Sequence, residues 1–451
     1  MSLAAVDFTK YHRLLERVNP IKTYGKVSEI IGLVVEGQGP TASIGEVCGI
    51  QPTGREEFID AEVVGFKQGK VLLMPLESLQ GLGPGCKIMS LGRKATVRVG
   101  KELLGRVIDG LGNPIDSKGL GNFEDEYPIY ADPINPLQRR RIKEPMDFGI
   151  RALNGLFTCG KGQRLGIFAG SGVGKSVLMG MIAKNTNADV NVIGLIGERG
   201  REVREFLEKN LGPEGLARSV VVVVASDMHP LIRMRAAYVA TAVAEFFRDQ
   251  GADVLLMVDS LTRFAMAQRE IGLSVGEPPT TKGYTPSVFS LLPKLLERSG
   301  TIEGKGSITG LYTILVEGDD FNEPIADAAR SILDGHISLS RDLAHKNHYP
   351  AIDALQSISR VMVDLVDKEH RKKAGELLNI LATYKKAEDL INIGAYQKGS
   401  NPEIDYAIYM IGRVNDFLRQ GMEERVSFDQ AKSDLLALFA PMSGPGPEQG
   451  K

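Results

Sequence analysis

The eight residues Ala169-Gly170-Ser171-Gly172-Val173-Gly174-Lys175-Ser176 constrain this chain more than any other stretch. The apolar run Leu165-Gly166-Ile167-Phe168 leads into them, and Val177-Leu178-Met179-Gly180-Met181-Ile182-Ala183 leaves in a helix-compatible pattern. Strand, glycine-rich turn and helix in that order are the setting in which a phosphate-binding loop works. Glycines let backbone N–H groups converge on a polyphosphate with no Cβ in the way, and the start of the next helix adds partial positive charge. Lys175, expected to lie exposed in the loop, can reach the β and γ phosphates, and the Ser176 hydroxyl can ligate Mg²⁺. Ala169 stands where the strict pattern has its first glycine. An accidental Gly-Lys-Ser turn would lack the flanking strand and helix, so the stretch predicts a bound nucleoside triphosphate.

At 451 residues the chain exceeds one ordinary core, and length alone suggests about three domains. Its 54 Lys and Arg against 56 Asp and Glu give a net charge of −2, which argues against a broad nucleic-acid footprint. Cys48, Cys86 and Cys159 are far apart and without zinc spacing, and suit a reducing cytosol as small buried residues. Asp7, Lys10, His12 and Arg13 interrupt the N-terminus, so it lacks a signal peptide's apolar core. No window approaches the ~18 apolar residues of a membrane span. These features predict a soluble, cytoplasmic protein.

The texture changes along the chain. Phe8, Tyr11, Leu15 and Val18 fall on one face of a short helix ended by Asn19-Pro20, and a lone terminal helix of this kind suits docking to a partner. Short β-like runs such as Gly32-Leu33-Val34-Val35-Glu36 and Lys70-Val71-Leu72-Leu73-Met74, separated by glycine-rich turns, suggest a small barrel or sandwich over 24–94. Strand and helix alternate from there to Val366. Val220-Val221-Val222-Val223-Val224-Ala225 and Val254-Leu255-Leu256-Met257-Val258 read as strands buried on both faces of a parallel sheet. Beyond Asp367 the pattern is helical, and the tail 441–451 is too rich in Pro and Gly to fold.

Two acidic signals turn a ligand site into a candidate for chemistry. Asp259 ends the run Val254–Val258, where it can organise the water shell of Mg²⁺ beside the phosphate loop; the alternative is a cap for the helix entered through Ser260-Leu261-Thr262. Val192-Ile193-Gly194-Leu195-Ile196-Gly197 leads into Glu198-Arg199-Gly200-Arg201-Glu202, whose carboxylate would emerge at the same sheet edge to orient a water. The pattern itself leaves Glu198 and Glu202 both open. The run Arg139-Arg140-Arg141 reads as a solvated face, and His229, His336, His345 and His348 as satisfied polar residues without metal spacing.

With these motifs stand His348-Tyr349-Pro350-Ala351-Ile352-Asp353, Ser357-Ile358-Ser359-Arg360, Leu339-Ser340-Arg341-Asp342-Leu343-Ala344 and the segment from Val316 to Asp327. Together they resemble the head subunits of rotary ATP synthases, and more closely the ATPases of type III protein export. Asp327-Ala328-Ala329-Arg330 and the residues Gly166–Gly172 are similar to the flagellum-specific branch. The likeness runs from about residue 24 to 440. It implies an α/β fold: a RecA-like P-loop core over 95–366, an N-terminal small β-barrel over 24–94 and a C-terminal helical domain over 367–440. Residues 1–23 would dock a regulatory, stalk-like export protein.

The resemblance also assigns roles. Glu198 activates the attacking water with Arg199 beside it at the phosphate edge, Tyr349 stacks on adenine, and Arg360 is an arginine finger for the adjacent subunit's site. Its planar fork suits the charge developing on the γ-phosphoryl group. Because finger and base share one chain, identical copies can serve each other, which implies a homo-oligomeric ring; six copies is the family's number. The function implied is an Mg²⁺-dependent ATP hydrolase of flagellar type III export. Its expected partners are export chaperones, their substrates and the export gate at the inner membrane, on whose cytoplasmic face the protein would sit. A virulence-type secretion ATPase shares every site residue. A rotary ATPase head subunit divides Glu198 and Arg360 between two chains. A ring-shaped RNA translocase needs a basic, aromatic-bearing barrel, and 24–94 holds only Tyr24, Phe58 and Phe66.

Overall fold

The computed structural model describes residues 23–440, apart from 120, 122, 124 and 317–319. The expected N-terminal docking helix and the tail 441–451 lie outside the described residues. The chain divides into two compact units, one running to Ala95 and including Leu273–Glu277, the other holding the rest.

In the first unit six strands close into an antiparallel barrel: β1 (Tyr24–Ile31), β2 (Val34–Gln38), β3 (Glu46–Gln51), β4 (Ile59–Lys67), β5 (Lys70–Pro75) and β6 (Lys87–Lys94). Their order is β1-β2-β5-β4-β3-β6, and closure removes the exposed edges an open sheet would leave. Val35, Ile50, Val63, Leu73 and Ile88 fill the interior. Between β4 and β5 the turn residues Gln68 (φ 50°) and Gly69 (φ 78°) both adopt positive φ, the backbone that a tight hairpin requires.

In the second unit β7 (Thr96–Val99) pairs with β9 (Asp125–Pro128), and β10 (Pro145–Met146) with β11 (Cys159–Gly160). The remaining strands make one large sheet. They are β8 (Arg106–Ile108), β12 (Arg164–Ala169), β13 (Val190–Glu198), β14 (Ser219–Ala225), β15 (Asp253–Asp259), β16 (Gly300–Thr301), β17 (Ser307–Leu315), β18 (Gly335–Leu339) and β19 (Ile352–Ser359). The order is β19-β18-β12-β17-β15-β13-β14-β8, parallel throughout except that β19 runs antiparallel to β18; β16 adds to the start of β17. The central strands are sealed on both faces: Val254 through Val258 have no exposed surface. The helix Pro230–Asp249 lies over β13, and a Cβ on Gly194 would come within 3.3 Å of the Ala240 methyl. Small residues on both elements bring them together.

Three helices, Lys368–Asn392, Pro402–Leu418 and Phe428–Leu438, complete this unit. Each starts where Asp367, Asn401 or Ser427 accepts a backbone N–H of the first turn. They pack on the helix Arg151–Leu156, where Gly155 leaves room for the Phe417 ring.

Candidate nucleotide site

Parallel strands deliver their C-terminal ends to one edge of a sheet, and ligands bind at that edge. Ala169, Glu198 and Asp259 are the last residues of β12, β13 and β15. Ala169 is buried, outside the left-handed region, and its carbonyl accepts the Val316 amide (3.0 Å), so a methyl group here costs the loop nothing. Gly172 (φ 79°) and Gly174 (φ 90°) then take left-handed backbone that side chains rarely adopt.

Lys175 is not exposed in the loop, contrary to the sequence expectation. It opens the helix Lys175–Asn185 with only 12% of its side chain accessible, because two carboxylates draw the ammonium inward. Its Nζ donates to Asp259 Oδ1 and lies 3.6 Å from Glu198 Oε1. Ser176 follows, exposed, in the first turn.

Glu198 owes its position to a bulge. Gly197 adopts φ 68° and the β13–β14 register shifts between Ile196 and Glu198, which re-aims the last side chain of the strand. Burial, then the negative charge of Asp259, pushes the Glu198 carboxyl up to about 7 against the pull of Lys175. Glu202 is exposed in the next helix and ion-paired at 3.6 Å with Arg199, whose side chain is 82% accessible. The structure therefore brings Glu198 to Lys175 and Asp259 and leaves Arg199 at the rim.

Asp259 is buried at the end of β15, its Oδ1 also accepting Thr313 Oγ1 (2.6 Å). Capping of the next helix falls to Ser260, whose hydroxyl accepts the Arg263 amide (3.2 Å), so the Asp259 carboxylate is not spent on the cap. Ser176 and Asp259 are hard oxygen donors, and no group of three or more His, Cys, Asp or Glu among the described residues could hold a metal. One carboxylate and one hydroxyl, completed by substrate phosphates and water, is a donor set that fits Mg²⁺.

Tyr349 lies in the β18–β19 connection with its ring against the loop: a Cβ on Gly174 would stand 3.4 Å from a ring carbon. Beside it a cleft of about 490 Å³ is lined by Arg151, Asn347, Arg419, Gln420 and Glu424. Gln420 ties this wall together. Its backbone N–H donates to the Tyr349 carbonyl (3.0 Å), and its side chain bonds the Arg151 amide and the Gly149 carbonyl.

Arg360 is elsewhere. β19 runs antiparallel, so its end pairs with the beginning of β18, and the Arg360 amide donates to the Asp334 carbonyl at the N-terminal edge of the sheet. A six-residue strand spans roughly 17 Å, which puts Arg360 beyond reach of the loop in its own chain. The same edge carries a cavity of about 610 Å³ lined by Arg139, Arg140, Arg141, Lys143, Lys161 and Asp253. There the expected solvated basic run needs correction: Arg139 is half-buried, donating to the Ser299 carbonyl (2.8 Å) and the Glu297 carboxylate (2.9 Å). Two histidines also depart from expectation, since the Nε2 atoms of His229 and His348 are buried without a partner among the described residues.

Three contributors escaped sequence reasoning. Thr313 and Gln420 meet the site only through the fold. Arg263 packs its stem on Gly197 with a buried Nε that has no partner among the described residues, and its spacing four residues after Asp259 on the next helix was the available signal.

Residues 149–359 match the ATP synthase alpha/beta family, nucleotide-binding domain, and residues 27–92 match that family's beta-barrel domain. Residues 366–437 match the T3SS EscN ATPase C-terminal domain. The flagellum-specific ATP synthase of Bacillus subtilis is 53% identical over 425 residues, 94% of this chain and 97% of the relative. The assembled ATPase EscN of the enteropathogenic E. coli type III secretion system superposes with a TM-score of 0.87 at 47% identity, and in complex with its central stalk EscO with 0.85 at 46%. Each covers 92% of this chain and the whole of the solved one.

Proposed function

Because the chain belongs to the type III export ATPases of the ATP synthase α/β family, we propose that it hydrolyses ATP for flagellar protein export, in a homo-oligomeric ring whose sites are each built from two copies. The observation that carries the two-copy reading is the division of the machinery between opposite sheet edges. Lys175, Glu198 and Asp259 converge on one, while Arg360 stands on the other.

In this reading the loop amides and Lys175 bind the ATP phosphates, the ammonium exchanging its carboxylate partners for phosphate oxygens. Asp259 and Ser176 would hold Mg²⁺, which when bound neutralises charge on the β and γ oxygens. Glu198 orients the attacking water and accepts its proton; a carboxyl pushed up to about 7 by burial and by Asp259 is a stronger base than an ordinary one. Arg360 of a neighbouring copy meets the charge spreading over the γ-phosphoryl group. Tyr349 stacks on adenine at the mouth of the Gln420 cleft, and Arg199 closes from the rim.

The regulatory partner is a stalk-like export protein docking on residues 1–23. EscN's complex with a central stalk supports a stalk-type partner, though not which segment it meets. Export chaperones, substrates and the inner-membrane gate are the further partners proposed, with no nucleic acid. No helix among the described residues is long and apolar enough to cross a membrane; a peripheral place at the cytoplasmic face is part of the proposal.

Measuring ATPase activity per chain against protein concentration tests this directly. A steep rise tracking assembly is expected; a dilute monomer as fast as the assembled protein would refute the shared site.

A further inference from the structure

β17 lies between β12, which feeds the phosphate loop, and β15, which ends in Asp259. Its register, Ile167 opposite Thr313 on one side and Val258 opposite Tyr312 on the other, sets Thr313 level with Asp259. Residues at one level of a parallel sheet share a face, so the hydroxyl meets the carboxylate. Thr313 Oγ1 donates to Asp259 Oδ1 over 2.6 Å, with Thr313 fully buried and Asp259 3% exposed.

We propose that Thr313 is a positioning residue that fixes the plane of the Asp259 carboxylate, so that its free oxygen is held ready for the metal's water shell. The inference rests on the reading of Asp259 as the Mg²⁺-organising residue. Carboxylate torsions are soft, with a broad, two-fold preference, so a buried aspartate needs a directional partner to present one oxygen reproducibly. Among the described residues Asp259 has two hydrogen-bond partners, both on Oδ1, and none on Oδ2. One of the two, Lys175, is the group that phosphates compete for. Thr313 is the partner that remains when the ammonium turns to nucleotide.

Threonine suits the task. Its χ1 is stiff, and strand neighbours on both sides hold the backbone. A hydroxyl adds a donor without adding charge next to Lys175. Valine has the same shape and no donor, and leaves Oδ1 with nothing to restrain it. Residues that orient metal-organising groups in this way typically cost 10–100-fold in metal affinity when removed.

The test measures ATP binding by calorimetry on the full chain, once with Mg²⁺ and once with a chelator. The ratio of the two affinities is the Mg²⁺-linked gain. Thr313→Val and Thr313→Ala should each lose roughly 10–100-fold of that gain while binding metal-free ATP like the parent, and Thr313→Ser, which keeps the hydroxyl, should restore it. The alanine variant carries the measurement if valine misfolds. Asp259→Asn is run alongside. Loss of the gain in Asp259→Asn but not in the two hydroxyl-free variants overturns the role of Thr313 alone. Retention of the gain in Asp259→Asn overturns the metal reading of Asp259, and the inference with it. Equal weakening of metal-free and Mg²⁺-linked binding assigns Thr313 to packing.

Discussion

The two edges of the large sheet differ in kind. At the C-terminal edge the charged groups are buried or half-buried and mutually bound: Lys175 lies between Asp259 and Glu198, and Thr313 donates to Asp259 from the adjacent strand. At the N-terminal edge Arg360 is exposed, its one side-chain bond among the described residues going to the Arg330 carbonyl at 3.3 Å. The cluster on one edge is finished within the chain, while Arg360 on the other is presented outward. A preorganised half and a free half are what a site completed by a second copy requires.

The largest effect should come from the free edge. An arginine finger is worth on the order of 10³–10⁵ in rate, so Arg360→Ala should bind ATP and be nearly inactive alone. Mixed with Glu198→Gln, which keeps its finger and its fold, it should regain activity, because an intact site can border an intact Arg360. Mixtures that assemble yet stay inactive would erase the distinction between the edges.

Next comes the finished edge. Glu198→Gln keeps the shape and removes the base, and should cost roughly 10²–10⁴ in turnover with ATP affinity retained. Parental turnover would remove Glu198 from the chemistry. Lys175→Ala should weaken ATP binding and also destabilise the nucleotide-free protein, since it leaves the buried Asp259 and half-buried Glu198 carboxylates without their shared cation. Breaking a buried pair costs about 3–5 kcal/mol. Thermal unfolding with and without Asp259→Asn checks this, for neutralising one carboxylate should recover most of the loss. An unchanged melting temperature in Lys175→Ala would mean that the edge is less tightly coupled than its geometry indicates.

The smallest effect belongs to neither edge. On the flank of the sheet, Arg106 on β8 pairs with Asp116 at 2.7 Å. The Arg106 hydrogen bond, with help from the Val107 and Lys118 amides, holds the Asp116 carboxyl down at about 2. A depressed carboxyl stabilises the fold above its unfolded pKa near 4, and that contribution fades as pH falls from about 4 to 2. Asp116→Asn should flatten the pH dependence of unfolding across that window and leave nucleotide binding untouched.

What the sequence disclosed divides along the same physical line. The phosphate loop, the strand-end Asp259 and the barrel turns are local patterns, since glycine spacing and unbroken apolar runs are visible over a few residues. The choice between Glu198 and Glu202 was not, because it depends on a bulge at Gly197 that tilts one side chain inward. The partnership of Thr313 with Asp259 joins strands 54 residues apart through a register that only the assembled sheet defines. Arg139 read as surface because three consecutive arginines usually are, yet the Glu297 carboxylate and the Ser299 carbonyl draw it in. Lys175 was misplaced for a related reason: its partners sit at the ends of two other strands.

In the proposed reading the sheet carries its acceptor on one edge and its donor on the other, and so has a direction. Each copy would serve one neighbour and be served by the other, a head-to-tail contact that closes into a ring. Damage would then be counted differently according to where it falls. Doping parental chains with a variant impaired at one edge silences one site per defective copy, so activity declines in proportion to the intact fraction. A chain impaired at both edges spoils its own site and its neighbour's, and with independent sites activity follows the square of that fraction. The curvature of a dilution series would thus report that each site is shared between two copies, without any image of the assembly.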